Sequence, residues 1–123
     1  MADIRLVLAD DDPVARKMFS RVIDRADGLE LVGTAEDALS VVEVVVEARP
    51  DLVLLDNLMP GGGGPAAARR ILERLPDVRV VALTGLDTSE SWAEMREAGA
   101  HGFLPKVAPV DRFVATIKRI ATA

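Results

Sequence analysis

Hydrophobic and polar positions fall into two alternating regimes along this chain. Short stretches dominated by valine, leucine and isoleucine recur at "IRLVLA" (Ile4 to Ala9), "LELVGT" (Leu29 to Thr34), "DLVLLD" (Asp51 to Asp56), "VRVVALT" (Val78 to Thr84) and "HGFLPK" (His101 to Lys106). Their length and branched composition predict strands. Between them, helical spacing of apolar residues predicts helices over Pro13 to Ala26, Ala35 to Ala48, Gly64 to Leu75, Thr88 to Ala98 and Val110 to Ala121. Strands that are apolar throughout cannot leave a face in water. The strict alternation therefore predicts an α/β fold with a five-stranded parallel sheet covered on both faces. The glycine run Gly61 to Gly64 falls between a strand and a helix and predicts a loose, mobile loop.

Size and charge narrow the picture. At 123 residues with 50% apolar content, the chain fits one domain spanning residues 1–123. It has no cysteine, so it offers neither a disulfide framework nor a thiolate metal site, and an intracellular setting follows more easily. The start "MADIRLVLAD" lacks the basic opening of a signal peptide, and the apolar runs are far too short to cross a bilayer. A soluble cytoplasmic protein without membrane association is expected. A net charge of −5 argues against direct binding to a nucleic-acid backbone by this domain.

In a parallel sheet all strands end on one edge, and ligands bind there at the point where strand order reverses. The polar residues at the predicted strand ends are Asp10, Asp11 and Asp12, then Asp56, Thr84 and Lys106. Asp12 has an ordinary role, because aspartate caps helices and Pro13 suits a first helical position. Asp10 and Asp11 are not explained by capping, and Asp56 joins them at the same edge. Three adjacent carboxylates call for a hard divalent cation such as Mg²⁺. Singly, Asp56 could start a turn, Thr84 could be a turn hydroxyl and Lys106 a solvated lysine. Together they fit one chemistry: a phosphoryl group on Asp56 would need a metal, a hydroxyl and an ammonium for its oxygens.

The acidic pair after the first strand, "LLDNLMPG" around Asp56, then "ALTG" and the lysine of "FLPK", carry a family pattern in its order and spacing. From end to end the sequence resembles a receiver domain of bacterial two-component response regulators. "ADDDP", "MPG" and the "VAP" after the lysine are most similar to the subgroup fused to a helix-turn-helix DNA-binding domain. The resemblance implies a doubly wound, flavodoxin-like (βα)5 sheet in the order 2-1-3-4-5. It implies Asp56 as the phosphoacceptor, Asp11 as a direct Mg²⁺ ligand, Asp10 acting largely through metal-bound water, and the backbone carbonyl of Leu58 completing the metal site. Thr84 and Lys106 would grip the phosphoryl oxygens, with Thr84 and Phe103 as the switch pair. A signalling domain rather than an enzyme is implied, one that promotes its own phosphoryl transfer and dephosphorylation. Its partners would be a sensor histidine kinase, an output domain or protein on the face of the fourth helix, fifth strand and fifth helix, and a second copy after phosphorylation.

The chain departs from the family pattern in two places. Pro105 precedes the lysine where many relatives have a proline after it, and "GGGGPAAA" replaces the usual larger residues. Leu58 and Leu86, each two residues beyond a site residue, cannot hydrogen-bond an attacking water, so slow spontaneous dephosphorylation is expected. His101 reads as a surface histidine in preference to a phosphohistidine relay, and Trp92 either as a partly buried helix-face aromatic or, on the fourth helix where relatives bind partners, as a partner contact. A rival reading resembles a phosphatase of the haloacid-dehalogenase type, with Asp10 as nucleophile beside Asp12, Thr84 and Lys106. It leaves Asp56 without a role and finds only Asp111 as a carboxylate beyond the lysine.

Overall fold

In the computed structural model, which describes residues 3–85 and 89–123, strands and helices alternate along the whole chain. They are β1 (Ile4–Ala9), α1 (Pro13–Arg25), β2 (Leu29–Ala35), α2 (Ser40–Ala48), β3 (Leu52–Asp56), α3 (Gly63–Arg74), β4 (Arg79–Thr84), α4 (Ser89–Glu97), β5 (Gly102–Pro105) and α5 (Val110–Ala121). All strand pairs are parallel, in the order β2-β1-β3-β4-β5. The chain thus moves outward from β1 to β2, then returns to the other side of β1 for β3. The reversal opens a crevice between the ends of β1 and β3, the place where such sheets bind ligands.

The strands are apolar throughout because each feeds two cores. Successive side chains of a strand point to opposite faces. Leu6 and Leu8 of β1, with Leu52 and Leu54 of β3, pack beneath α1 and α5 against Phe19, Ile23, Phe113 and Ile117. Val7 and Ala9, with Val53 and Leu55, pack on the other side against Val41 and Val45 of α2, Ala67 and Ile71 of α3, and Met95 of α4. The rings of Phe19 and Phe113 stack with centroids 5.2 Å apart, joining α1 to α5. Such a pair adds about 1 kcal/mol to the burial itself. Among the described residues, no helix is long and apolar enough to cross a membrane.

Several boundaries differ from those the sequence predicts. Ala35 closes β2 instead of opening α2, which begins at Ser40. The reason is Asp37: its Oδ1 accepts hydrogen bonds from Ser40 N at 2.6 Å and Leu39 N at 3.1 Å, so the helix cannot extend back through it. Asp51 lies outside β3, its Oδ2 accepting from Arg5 N at 2.9 Å. His101 and Lys106 flank β5 instead of belonging to it. His101 is exposed, and its Nδ1 accepts a hydrogen bond from Val80 N at 3.0 Å.

The glycine run is only partly a loop. Gly61, Gly62 and Gly63 have φ of 90°, 109° and 79°, a left-handed path that residues with a Cβ rarely follow. That path turns the chain so that α3 already begins at Gly63, and Gly64 N donates to Asn57 O at 3.0 Å. A Cβ on Gly64 would stand 2.7 Å from the backbone oxygen of Asp56. Glycine therefore lets the start of α3 rest directly on the end of β3.

Candidate functional site

Each strand that borders the crevice ends in a polar residue or is followed at once by one, and the backbone beyond the strands ties these ends together. Asp10 N donates to Ala35 O at 3.1 Å, Asn57 N to Leu83 O at 3.2 Å, and Lys106 N to Thr84 O at 2.8 Å. After Asp10 the chain turns at once into α1. Asp12 is its N-cap, with Oδ1 accepting from Val14 N at 3.0 Å, and Pro13 occupies the first turn, as the sequence predicts.

Asp10, Asp11 and Asp56 each bring a carboxylate oxygen within 4.8 Å of the others. Asp10 is wholly buried, with Oδ1 accepting from Asp12 N at 2.9 Å and Oδ2 2.7 Å from the Lys106 ammonium. Asp56 is 5% exposed, and its Oδ2 lies 3.3 Å from the same ammonium. Its Oδ1 accepts from Leu58 N, also at 3.3 Å. Asp11 is exposed at the mouth. Thr84, Lys106, Asp11 and Asp56 line one cleft of 300 Å³, which Leu58 and Ser91 also border. The six residues named for the site from sequence, Asp10, Asp11, Asp56, Leu58, Thr84 and Lys106, thus lie at this one edge.

The electrostatics are those of an under-neutralised acidic site. Burial, followed by the neighbouring Asp10 charge, pushes the Asp56 carboxyl up to about 6, against the pull of the Lys106 ammonium and the Leu58 N–H. Burial pulls Lys106 down, but its contacts with Asp10 and Asp56 outweigh that and hold it above its ordinary value. One ammonium among three carboxylates leaves negative charge in a confined space. The donors are all oxygens, which suits a small hard cation such as Mg²⁺ and not zinc.

The remaining predicted residues occupy the outer edge. Phe103 pairs with Ala82 across β4 and β5, so Thr84, two residues beyond Ala82, has its side chain on the same face of the sheet. Phe103 is half-buried, and Trp92 of α4 stands against it with ring centroids 5.4 Å apart at 57°. Leu58 is 69% exposed, while Leu86 lies outside the described residues. Sequence reasoning missed Asn57 and Ser91 in the cleft lining, and Arg16, whose Nη1 donates to Asp10 O at 2.8 Å. Asn57 is buried with its Oδ1 unpartnered. Its position next to Asp56 was the available signal; Arg16, inside a helix, offered none.

A family model for the response regulator receiver domain matches residues 6–118. Over 118 residues the chain is 31% identical to the oxygen regulatory protein NreC of Staphylococcus epidermidis, covering 95% of this chain and 54% of that protein. It is 34% identical over 117 residues to the response regulator GacA of Pseudomonas viridiflava, covering 95% and 55%. The chain therefore spans about half the length of these curated relatives. Among solved structures, a LuxR-family two-component response regulator from Aurantimonas sp. SI85-9A1 superposes with a TM-score of 0.92 at 31% identity, covering 98% of this chain and 86% of that one. The signal receiver domain of NarL from Mycobacterium tuberculosis gives 0.94 at 27% identity, covering 100% and 99%.

Proposed function

Because the chain belongs to the response regulator receiver domain family, we propose that it accepts a phosphoryl group on Asp56 and relays a signal by changing shape. Asp56 is the only one of the three clustered carboxylates that both lines the cleft and touches Lys106. That observation carries the reading. An Asp56 oxygen forms the new bond to phosphorus as the bond from phosphorus to the donor breaks. The electron pair of that broken bond leaves with the donor, an imidazole nitrogen in the case of a sensor histidine kinase. Lys106 offers its ammonium to one phosphoryl oxygen and Thr84 its hydroxyl to another. Asp11, Asp56 and the Leu58 carbonyl would hold Mg²⁺, with Asp10 reaching it through metal-bound water, and the ion when bound supplies positive charge to the phosphoryl oxygens.

On this reading residues 1–123 form one receiver domain that promotes its own phosphorylation and dephosphorylation and has no separate substrate. An output domain or partner protein contacts the face made by α4, β5 and α5, and phosphorylation favours a homodimer. Regulation of transcription through such an output fits the relatives, and the −5 charge of the chain keeps this domain itself off nucleic acid. The haloacid-dehalogenase alternative is not supported. It needs Asp10 as an open nucleophile, but both Asp10 oxygens are engaged and the residue is wholly buried.

The test is to incubate the protein with acetyl phosphate and Mg²⁺, reduce with borohydride, which expels the phosphate and turns the phosphorylated aspartate into homoserine, and locate the converted residue, the label, by mass spectrometry. Label on Asp56 supports the reading. Label on Asp10, or none in the presence of Mg²⁺, defeats it.

A further inference from the structure

Asp10 lies just past the end of β1 and is wholly buried, so its backbone groups need partners beyond the ladder. Its N–H is taken by Ala35 O. Its carbonyl oxygen is taken by Arg16, which reaches back from α1 to place Nη1 2.8 Å away. The backbone N–H of the same arginine donates to Asp12 O at 2.9 Å. One residue thus holds the carbonyls on either side of Asp11. Asp11 is the exposed member of the carboxylate cluster, and among the described residues nothing bonds its carboxylate directly. Its position is set through its backbone.

We propose that the Arg16 side chain is a positioning residue for the divalent-cation site, fixing the peptide that carries Asp11 so that its carboxylate is already in place when the ion arrives. The inference rests on the Mg²⁺-dependent receiver reading above. Half-buried Arg16 is also a positive charge near a cation site, and charge alone would oppose binding. Positioning and charge therefore predict opposite results when the guanidinium is removed. A merely structural role, satisfying one buried carbonyl, predicts lower stability with unchanged affinity.

Mg²⁺ is titrated into the parent, Arg16→Gln and Arg16→Lys, following the backbone amide signals of Asp11 and Asp12 by NMR, with thermal melts run alongside. Glutamine keeps helix propensity but is too short and neutral to replace the clamp, while lysine keeps the charge and one donor. Arg16→Gln should bind Mg²⁺ about 10-fold more weakly, in the range that groups supporting metal ligands command. Arg16→Lys should recover most of the loss. Equal or tighter binding by folded Arg16→Gln overturns the proposal. Should that variant not fold, the parent decides: the Arg16 guanidinium protons should exchange slowly and become more protected on adding Mg²⁺, and exchange unaffected by the ion overturns the clamp. A parent that binds no Mg²⁺ overturns the receiver reading itself and this inference with it.

Discussion

Asp56 is asked to be buried and to be charged, and the two demands oppose each other. Its carboxyl titrates near 3.8 in an unfolded chain and at about 6 in the fold, chiefly because burial disfavours the ionised form. Between those values the folded state holds the proton that the unfolded state has lost. Stability from this group is therefore complete below about pH 4 and declines as pH rises towards 6. Asp56→Asn removes the burden, so at pH 7.5 the variant should be more stable than the parent by about 1 to 3 kcal/mol, several degrees in melting temperature. At pH 4 the gap should nearly close; paired thermal melts at the two pH values check this. A proton on Asp56 also competes with the metal, so Mg²⁺ affinity measured by titration should fall steadily below pH 6. Exposed Leu58 presents no hydrogen-bonding group to a water attacking the phosphoryl group. Leu58→Asn supplies one and should shorten the lifetime of phosphorylated Asp56 several-fold, measured as loss of label over time. Most of the cluster was legible at this scale, because charged residues at the ends of apolar strands have no bland explanation together. Asn57 and Arg16 were not, since one polar residue in a turn and one arginine in a helix look like solvated surface until the fold aims them inward.

At the scale of elements, the seam between β3 and α3 bears directly on Asp56, the proposed acceptor. A methyl on Gly64 would meet the Asp56 backbone oxygen at 2.7 Å and Met95 Sδ at 3.0 Å. Gly64→Ala must move the strand end, the helix or both, and should lower stability by about 1 to 3 kcal/mol. The atom displaced belongs to Asp56, so on the receiver reading phosphorylation by acetyl phosphate should slow as well, which a time course reads. The sequence marks this segment as glycine-rich and therefore loop-like, but composition cannot say which glycines supply a left-handed turn and which a close approach. Periodicity similarly ran α2 back to Ala35, because Ala38 and Leu39 continue the apolar pattern, while Asp37 sets the actual start by binding the Leu39 and Ser40 amides. Strands and helix cores were predictable from pattern; their ends depend on single hydrogen bonds.

Across the whole molecule, Thr84 and Phe103 share one face of the sheet's outer edge and Trp92 stands against Phe103, which on the receiver reading is the path from acceptor to surface. Only an interaction that exists after phosphorylation can shift the balance between two shapes, and on the receiver reading the Thr84 hydroxyl would supply one. Thr84→Ala should still take phosphate on Asp56, yet give a markedly smaller change in Trp92 fluorescence on adding beryllofluoride. An equal change in both proteins would place the switch elsewhere. The strand order was the one global feature that local pattern could not yield, since nothing in a parallel strand names its neighbour; it came from resemblance to a family. That order carries a consequence for the making of the protein. Asp56 and Lys106 meet across 50 residues of sequence, and the lysine directly follows β5, the last strand to leave the ribosome. A half-synthesised chain already holds Asp56, the proposed acceptor, but not the ammonium that pairs with it. On the receiver reading, the pairing of Asp56 with Lys106 is therefore assembled only once the sheet is finished.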